Sequence, residues 1–281
     1  MKSQAEKAHL FRAYHEAAQA FIIPNPWDIG SARLLAAVGF RALATTSAGY
    51  AFSRDLPDNA VGRDQMMVHL AEIASATDLP VSADLENGFG DAPEDAAETI
   101  LRAAAAGVVG GSIEDATGRA DDPVYAHELA VERVRAAVEA ARALPFPFTL
   151  TARAENYLVG RPDLDDTIRR LHAYQEAGAD VLYAPGLKTR DDIAAVVGAL
   201  DKPVNVLMGM AGVSLDLREL QALGVRRISV GGALARAALG ALLRAAREMH
   251  ERGTFTFTSD ALGMKEVNDL FDAAVEASGQ R

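Results

Sequence analysis

Two acidic residues close an apolar, strand-like run in the stretch PVSADLENGFG. Because side chains two positions apart on a strand project to the same face, Ser82, Asp84 and Glu86 are predicted to share one face. Neighbouring carboxylates repel each other and resist leaving water unless a cation or a proton compensates their charge. The pair therefore indicates either a cation site or two acids that are ion-paired or solvated.

Charged residues also close two later strand-like runs, with Glu114 in VVGGSIED and Arg153 in FTLTARA. Asp84, Glu86 and Glu114 form a set of oxygen ligands without histidine or cysteine, which suits a hard divalent cation, Mg²⁺ or Mn²⁺. Arg153 can hold a carboxylate through the fork of its guanidinium. These residues can act together only if their strand ends meet, so the chemistry depends on the elements that carry them.

Eight strand-like runs alternate with helical patterns along the chain. The runs are AFIIPN (20–25), ALATTS (42–47), PVSADL (80–85), VVGGSIED (108–115), FTLTARA (148–154), VLYAPG (181–186), PVNVLM (203–208) and RRISVGG (226–232). Segments between them, such as DQMMVHLAEIASA, have the three- and four-residue apolar spacing of amphipathic helices. Eight βα units predict an α/β fold of the TIM (β/α)8 barrel type, with an open doubly wound sheet as the alternative. The predicted helix C-caps are Gly39, Gly107, Gly178 and Gly224.

The chain is predicted to form a single domain over residues 1–281, because no linker or low-complexity tract divides it. An N-terminal helix precedes the barrel, which is expected over about 20–252, and a helical tail follows over about 253–281. Active sites of such barrels lie at the carboxyl ends of the strands. The strand ends predicted to meet there carry Asp84, Glu86, Glu114, Arg153 and Asn205.

Charge and composition exclude several classes of protein. A net charge of −11 and a pI near 5.0 argue against a surface for nucleic acid or anionic membranes. The absence of cysteine excludes disulfides, cysteine metal sites and a cysteine nucleophile. The N-terminus lacks a secretory core, and no apolar run reaches transmembrane length. We therefore expect a cytoplasmic protein without nucleic-acid or membrane partners.

Three further features keep two interpretations each. The polar loop over residues 115–127 is either a mobile lid or a plain surface loop. SVGG before a late helix either cradles a phosphate or allows close helix–strand packing. All six histidines fall in helical patterns, so histidine catalysis is not expected, although His127 follows the loop closely enough to swing towards the barrel mouth.

The runs TTSAGYA, LPD, SADLENGFG, SIED, TARAEN and NVLM, in this order, resemble the isocitrate lyase and phosphoenolpyruvate mutase superfamily over roughly residues 20–240. The resemblance implies a barrel whose C-terminal helix is exchanged between subunits of a homodimer or homotetramer. It also implies that Mg²⁺ holds a 2-oxo acid or its enolate. Asp84 would bind the metal directly, Glu86 and Glu114 would hold metal-bound waters, and Asp58 would be a further acid near the metal.

The resemblance also assigns roles around the substrate. Ser47 and its neighbouring backbone amides would bind the substrate carboxylate, and Arg153 would bind the substrate oxygens. The residues predicted to bind substrate are Ser47, Ala48, Gly49, Tyr50, Arg153 and Asn205. The predicted catalytic residues are Arg153, Glu114 and Asp58.

The leading hypothesis is a Mg²⁺-dependent lyase that cleaves a C–C bond of a small 2-oxo or 2-hydroxy acid through an enolate. Lyases of the superfamily carry a Lys-Lys-Cys-Gly-His lid where this chain has GRADD, so their cysteine acid is missing. Isocitrate and methylisocitrate are therefore expected to be poor substrates, whereas decarboxylation of oxaloacetate stays open. The alternatives are a phosphonopyruvate mutase or hydrolase, which acts on a C–P bond, and a noncatalytic metal-dependent binder of 2-oxo acids.

Overall fold

The computed structural model describes residues 2–278, with side chains as far as residue 273. Its strands all lie within the eight predicted runs. They are β1 (Phe21–Ile23), β2 (Leu43–Ala44), β3 (Val81–Asp84), β4 (Gly110–Glu114), β5 (Thr149–Arg153), β6 (Val181–Tyr183), β7 (Val204–Leu207) and β8 (Arg227–Ser229).

All eight strands are parallel and form one sheet in the order β1-β8-β7-β6-β5-β4-β3-β2. β1 pairs with β8, so the sheet curls into a nearly closed barrel. No regular ladder joins β1 to β2 in the described chain; a backbone bond from Ala44 N to Pro24 O, 3.1 Å long, spans this seam. The predicted barrel is therefore confirmed, and the open doubly wound sheet is not observed.

Helices cover the outside of the sheet. They are α1 (Gln4–Glu16), α2 (Ile29–Val38), α3 (Ser47–Ser53), α4 (Arg63–Ala76), α5 (Pro93–Ala105), α6 (His127–Arg142), α7 (Leu164–Glu176), α8 (Arg190–Ala199), α9 (Leu217–Ala222), α10 (Ala233–Arg252) and α11 (Met264–Ser278), with a 3₁₀ helix over Thr256–Asp260. The four glycines predicted as C-caps all have positive φ at the ends of α2, α5, α7 and α9.

The N-terminal helix α1 closes the amino end of the barrel. Phe11 packs against the barrel core, and a side chain at Gly110 would lie 2.8 Å from the Phe11 ring, so this position needs glycine. His15, one turn later, stacks edge-on against Phe21 of β1. The cavity of the barrel therefore opens towards the carboxyl ends of the strands.

At the other end of the chain, the tail helix α11 packs against α2 of its own chain. The preceding helix α10 buries little of its surface, and Leu239, Leu242 and Leu243 are 40%, 63% and 53% exposed. Exchange of the tail between subunits stays a prediction. Among residues 2–278, no helix is long and apolar enough to cross a membrane.

Candidate active site

A cavity of about 440 Å³ lies at the carboxyl ends of the strands. Most of the residues predicted from the sequence line it, and they come from five of the βα units. Those on its wall are Ser47, Ala48, Asp58, Asp84, Glu114, Arg153 and Asn205. The predicted residues that do not line it are Glu86, Gly49 and Tyr50.

Arg153 is the centre of the charged group in this cavity. Its guanidinium donates to Asp84 Oδ1 at 2.9 Å, to Glu114 Oε2 at 3.0 Å and to Glu155 Oε1 at 2.8 Å. The Tyr183 ring lies beneath it, 5.3 Å from ring centroid to Cζ. One guanidinium is thus shared among three carboxylates, which leaves an excess of negative charge if all three are ionised.

Burial changes the proton affinities of this group. Desolvation raises the pKa of Glu114 well above its ordinary value, although Arg153 opposes the shift. Desolvation raises the pKa of Glu155 too, again against Arg153. Burial alone would lower the pKa of Arg153, but the carboxylates around it, Glu114 foremost, raise it. Arg153 therefore stays charged, and its single positive charge does not compensate all of the carboxylates around it.

The first turn of α3 faces this group. Ser47 donates its backbone N and its Oγ to Asp84 Oδ2, at 3.0 and 2.9 Å. Gly49 N donates to Thr46 Oγ1 at 3.2 Å, and Tyr50 N donates to Thr46 O at 3.1 Å. The backbone amides predicted to hold a substrate carboxylate are therefore engaged by the protein at Ser47, Gly49 and Tyr50, and Ser47 becomes available only when Asp84 turns to another partner.

Glu86 departs from the predicted strand pattern. β3 ends at Asp84, and Glu86 has φ of 49°, in the left-handed region, so the expectation that it continues the strand face is wrong. Its side chain is buried without lining the cavity, and its Oε1 has no hydrogen-bond partner among the described residues. Burial, with the negative charges of Asp84 and Asp58, raises the pKa of Glu86 to about 8.

Asp58 lies at the rim of the cavity, on the loop after α3. It is exposed, and its Oδ1 accepts a hydrogen bond from Asn59 N at 3.0 Å. Desolvation at the cavity wall and the charge of Asp84 raise the pKa of Asp58. The LPD motif therefore brings a fourth carboxylate to the same cavity, and its role beside a metal stays a prediction.

The oxygen ligands of these residues suit a divalent cation, but their side chains do not form a preorganised coordination site. No three acidic or histidine side chains converge on one point among the described side chains, and Arg153 lies between Asp84 and Glu114. The excess of carboxylates and the buried, unpaired oxygen of Glu86 are nevertheless what a hard cation with bound water would compensate. Asp84 would hold such an ion directly, with Glu86 and Glu114 reached through water.

A second buried network supports the site from behind, and sequence reasoning missed it. Asp115 accepts from Tyr174 Oη at 2.6 Å, from Arg170 Nη1 at 3.1 Å and from Glu155 N at 2.8 Å. The last bond fixes the backbone after Arg153, and thereby the aim of the guanidinium. The sequence signal for this network was Asp115, the second acid of SIED, because a single metal site does not need it.

Asparagine side chains fix the other wall. Asn205 Nδ2 donates to Ser229 Oγ at 2.9 Å, and its Oδ1 accepts from Arg227 Nε at 2.8 Å, so it lies on the cavity floor with its amide engaged. Asn25 Nδ2 donates to Thr45 O, and its Oδ1 accepts from Val230 N and Gly231 N, all within 3.0 Å. Two amides of SVGG are therefore taken, which disfavours a phosphate cradle there.

Beyond Ala116, the loop over residues 115–127 is held away from the cavity by its own contacts. Tyr125 Oη donates to Asp91 at 2.6 Å, and Arg119 pairs with the same carboxylate at 2.8 Å. Desolvation and this hydrogen bond raise the pKa of Tyr125 to about 12. His127 is the first residue of α6, and neither it nor Tyr125 lines the cavity. The loop contributes Ala116 to the cavity wall.

Comparison with known proteins agrees with the barrel fold. A family model described as phosphoenolpyruvate phosphomutase matches residues 11–250. A structure from Burkholderia cenocepacia J2315, provisionally described as a lyase/mutase, is similar, with 67% identity, coverage of 96% of this chain and 97% of that one, and a TM-score of 0.94. An oxaloacetate decarboxylase of Pseudomonas aeruginosa is 30% identical over 258 residues, which cover 89% of this chain and 87% of that protein. A phosphonopyruvate hydrolase in complex with oxalate and Mg²⁺ is 25% identical, with a TM-score of 0.83 and coverage of 98% and 99%.

Proposed function

The chain belongs to the phosphoenolpyruvate phosphomutase family, and on this premise we propose that it is a Mg²⁺-dependent lyase that cleaves a C–C bond of a small 2-oxo acid through an enolate. The observation that carries the proposal is the ratio of three carboxylates, two of them buried, to one guanidinium at the mouth of the barrel. A divalent cation compensates that excess, and a 2-oxo acid is a chelating ligand for it.

Each residue of the group has a part in such a reaction. A bound Mg²⁺ would draw charge onto the 2-oxo oxygen and stabilise an enolate. Asp84 would turn from Ser47 towards the ion, which frees the Ser47 amide and hydroxyl for the substrate carboxylate. Arg153 would donate to the substrate oxygens, and its bond to Glu155 keeps it in place meanwhile. Glu114 and Asp58 complete the acidic surroundings of the ion.

The described residues of the 115–127 loop place no proton donor in the cavity, which favours decarboxylation. Arginine cannot give up its proton, which rules out Arg119 as an acid, and Asp121 and Asp122 are exposed and do not line the cavity. Tyr125 is engaged with Asp91, outside the cavity. A reaction whose leaving group is CO₂ needs no strong acid. We therefore favour oxaloacetate as the substrate, in line with the decarboxylase relative.

Two alternatives have support of their own. Similarity to a phosphonopyruvate hydrolase favours a C–P bond as the second candidate. The third is a protein that binds 2-oxo acids with metal but turns over none, because its lid differs from that of the lyases.

We also propose a homodimer or homotetramer with exchanged tails, since the exposed leucines of α10 need a cover.

The test is incubation with Mg²⁺ and, separately, oxaloacetate, methylisocitrate or phosphonopyruvate, with pyruvate, succinate and phosphate measured. Pyruvate from oxaloacetate, above the spontaneous rate and absent in Asp84→Asn, is the expected result. Phosphate from phosphonopyruvate would support the second candidate. Succinate from methylisocitrate at a comparable rate would refute the argument from the lid. Tight oxalate binding without any product would favour the binder.

A further inference from the structure

The floor of the cavity holds a buried cation that no carboxylate compensates. Arg227, the first residue of β8, is 5% exposed and lines the same cavity as Asp84 and Arg153. Among the described residues, no carboxylate oxygen lies within 4.0 Å of a nitrogen of the Arg227 guanidinium, so this arginine forms no ion pair. Other buried arginines differ: Arg153 and Arg170 pair with carboxylates, and Arg133 donates to three backbone carbonyl oxygens away from the cavity.

Neutral acceptors hold the Arg227 guanidinium in place. Nε donates to Asn205 Oδ1 at 2.8 Å, and Nη2 donates to Thr151 Oγ1 at 3.0 Å. Nη1 lies 3.4 Å from Nε2 of His15. The Nδ1 of His15 lies 2.9 Å from Phe11 O, which only accepts, so Nδ1 carries the proton and Nε2 is the acceptor. His15 is therefore neutral, and it adds no negative charge.

The guanidinium also has unused donors. It carries five N–H bonds, and the contacts with Asn205, Thr151 and His15 use three of them, so two have no partner among the described side chains, which end at residue 273. Desolvation lowers the pKa of Arg227 to about 10, which still leaves it charged at neutral pH. A buried cation with free donors at the bottom of an open cavity is costly unless an anion completes it.

We propose that Arg227 is a second anion-binding point, which takes the carboxylate of the substrate that lies farthest from the metal. The mouth of the cavity is rich in carboxylates, so a second negative charge on the ligand is repelled there and attracted to the floor. Arg227 lies two residues before Ser229 on β8, about 7 Å deeper along the strand. The site therefore selects diacids over monoacids. This inference rests on the proposed function in that the substrate is a small acid held at Asp84.

The first test is calorimetric binding with saturating Mg²⁺. The probes are oxalate, which spans the metal position alone, and the longer diacids 3,3-difluorooxaloacetate and 2-oxoglutarate. In Arg227→Met the affinity for at least one longer diacid is expected to fall about 10- to 100-fold, the loss for a hydrogen bond to a charged group, while oxalate changes less than about 3-fold. Arg227→Lys, which keeps the charge, is expected to lie between. The matched control is Arg226→Met, whose side chain bonds Ala18 O outside the barrel.

The second test needs no variant, in case Arg227→Met does not fold. Metal-free wild-type crystals soaked in bromide are expected to show an anomalous peak at the guanidinium, which disappears when Mg²⁺ and the longer diacid are added. Equal losses for oxalate and the longer diacids, or no loss for any, would overturn the proposal, as would the absence of bromide. A bromide peak that persists beside the bound diacid would assign the position to a free inorganic anion instead. Failure of the proposed lyase reaction shows separately, as binding without turnover.

Discussion

Removing Arg153 should expose the charge imbalance of the cavity as a loss of stability that Mg²⁺ repairs. In Arg153→Met the carboxylates of Asp84, Glu114 and Glu155 lose their shared cation. Removing one partner of a buried ion pair costs about 3–5 kcal/mol. The carboxylates can take up protons instead, at about 1.4 kcal/mol for each unit of pKa shift, so we expect the metal-free loss to stay within that range at pH 7.

The assay is urea unfolding of wild type and variant, in EDTA and in excess Mg²⁺. Ligand binding to the folded state at 100 times its Kd stabilises by about 2.7 kcal/mol, and the more negative pocket of the variant should bind the ion more tightly than wild type does. The stability difference should therefore shrink by at least about 1 kcal/mol when Mg²⁺ is added. Arg142→Met is the control, because Arg142 pairs with Asp180 at a largely exposed position, which is worth at most about 1 kcal/mol and does not depend on Mg²⁺.

The sign of the pH dependence follows from the same argument. Without Arg153, the folded-state pKa of Glu114 rises further above its value in the unfolded chain, so the folded protein binds protons more tightly. Stability is then greatest below the unfolded pKa and falls as the pH rises, and the loss in Arg153→Met should be smaller at pH 5.5 than at pH 8. A loss below about 1 kcal/mol, or one that is identical in EDTA and Mg²⁺, would refute the charge argument.

Three further outcomes are expected. Asp84→Asn should abolish Mg²⁺-dependent oxalate binding in calorimetry without lowering the melting temperature by more than a few degrees; retained binding would remove Asp84 from the metal. Burial lowers the pKa of His15 in the folded state to about 3. The stability that the neutral imidazole contributes is therefore present above about pH 6.5 and is lost as the pH falls towards 3. The loss is up to roughly 1.4 kcal/mol for each pH unit. His15→Asn should flatten this acid limb in urea titrations, whereas the exposed His9→Asn should not. Truncation before Gly253 should yield monomers or aggregates in light scattering, and a soluble oligomer of native subunit number would count against tail exchange.

The elements of this fold were predictable because their signals are local. Each strand run is apolar and bounded by turn residues, and each C-cap glycine stands where a helix must end with positive φ. The active sites of such barrels lie at the carboxyl ends of the parallel strands, and this rule predicted that Asp84, Glu114 and Arg153 lie close together. Alternation failed at Glu86, because the strand ends two residues earlier and the backbone turns into the left-handed region.

The contacts that decide the chemistry could not be predicted in the same way. The three bonds of Arg153 depend on distances between strand ends, and the bonds from Arg170 and Tyr174 to Asp115 span 55 and 59 residues. No spacing rule encodes such pairs. Arg227 was hidden for a related reason: an arginine at the start of a strand run is usually solvated, and its inward aim depends on the strand register with Asn205.

The pairing of β1 with β8 has a consequence for how the protein is made. The partners Phe21 and Arg227 are about 200 residues apart, and they come together only after β8 has been synthesised. Until then the growing sheet has two unpaired edges, a state that is prone to aggregation and slow to close because its contacts are far apart in sequence. The contact between His15 and Arg227 forms in the same step, so the last turn of α1 completes its contacts after the first turn, where Gln4 and Lys7 bond carbonyl oxygens of earlier segments. Ribosome-bound chains that stop short of β8 should therefore be cleaved by protease near β1 and the end of α1, and full-length chains should be protected there.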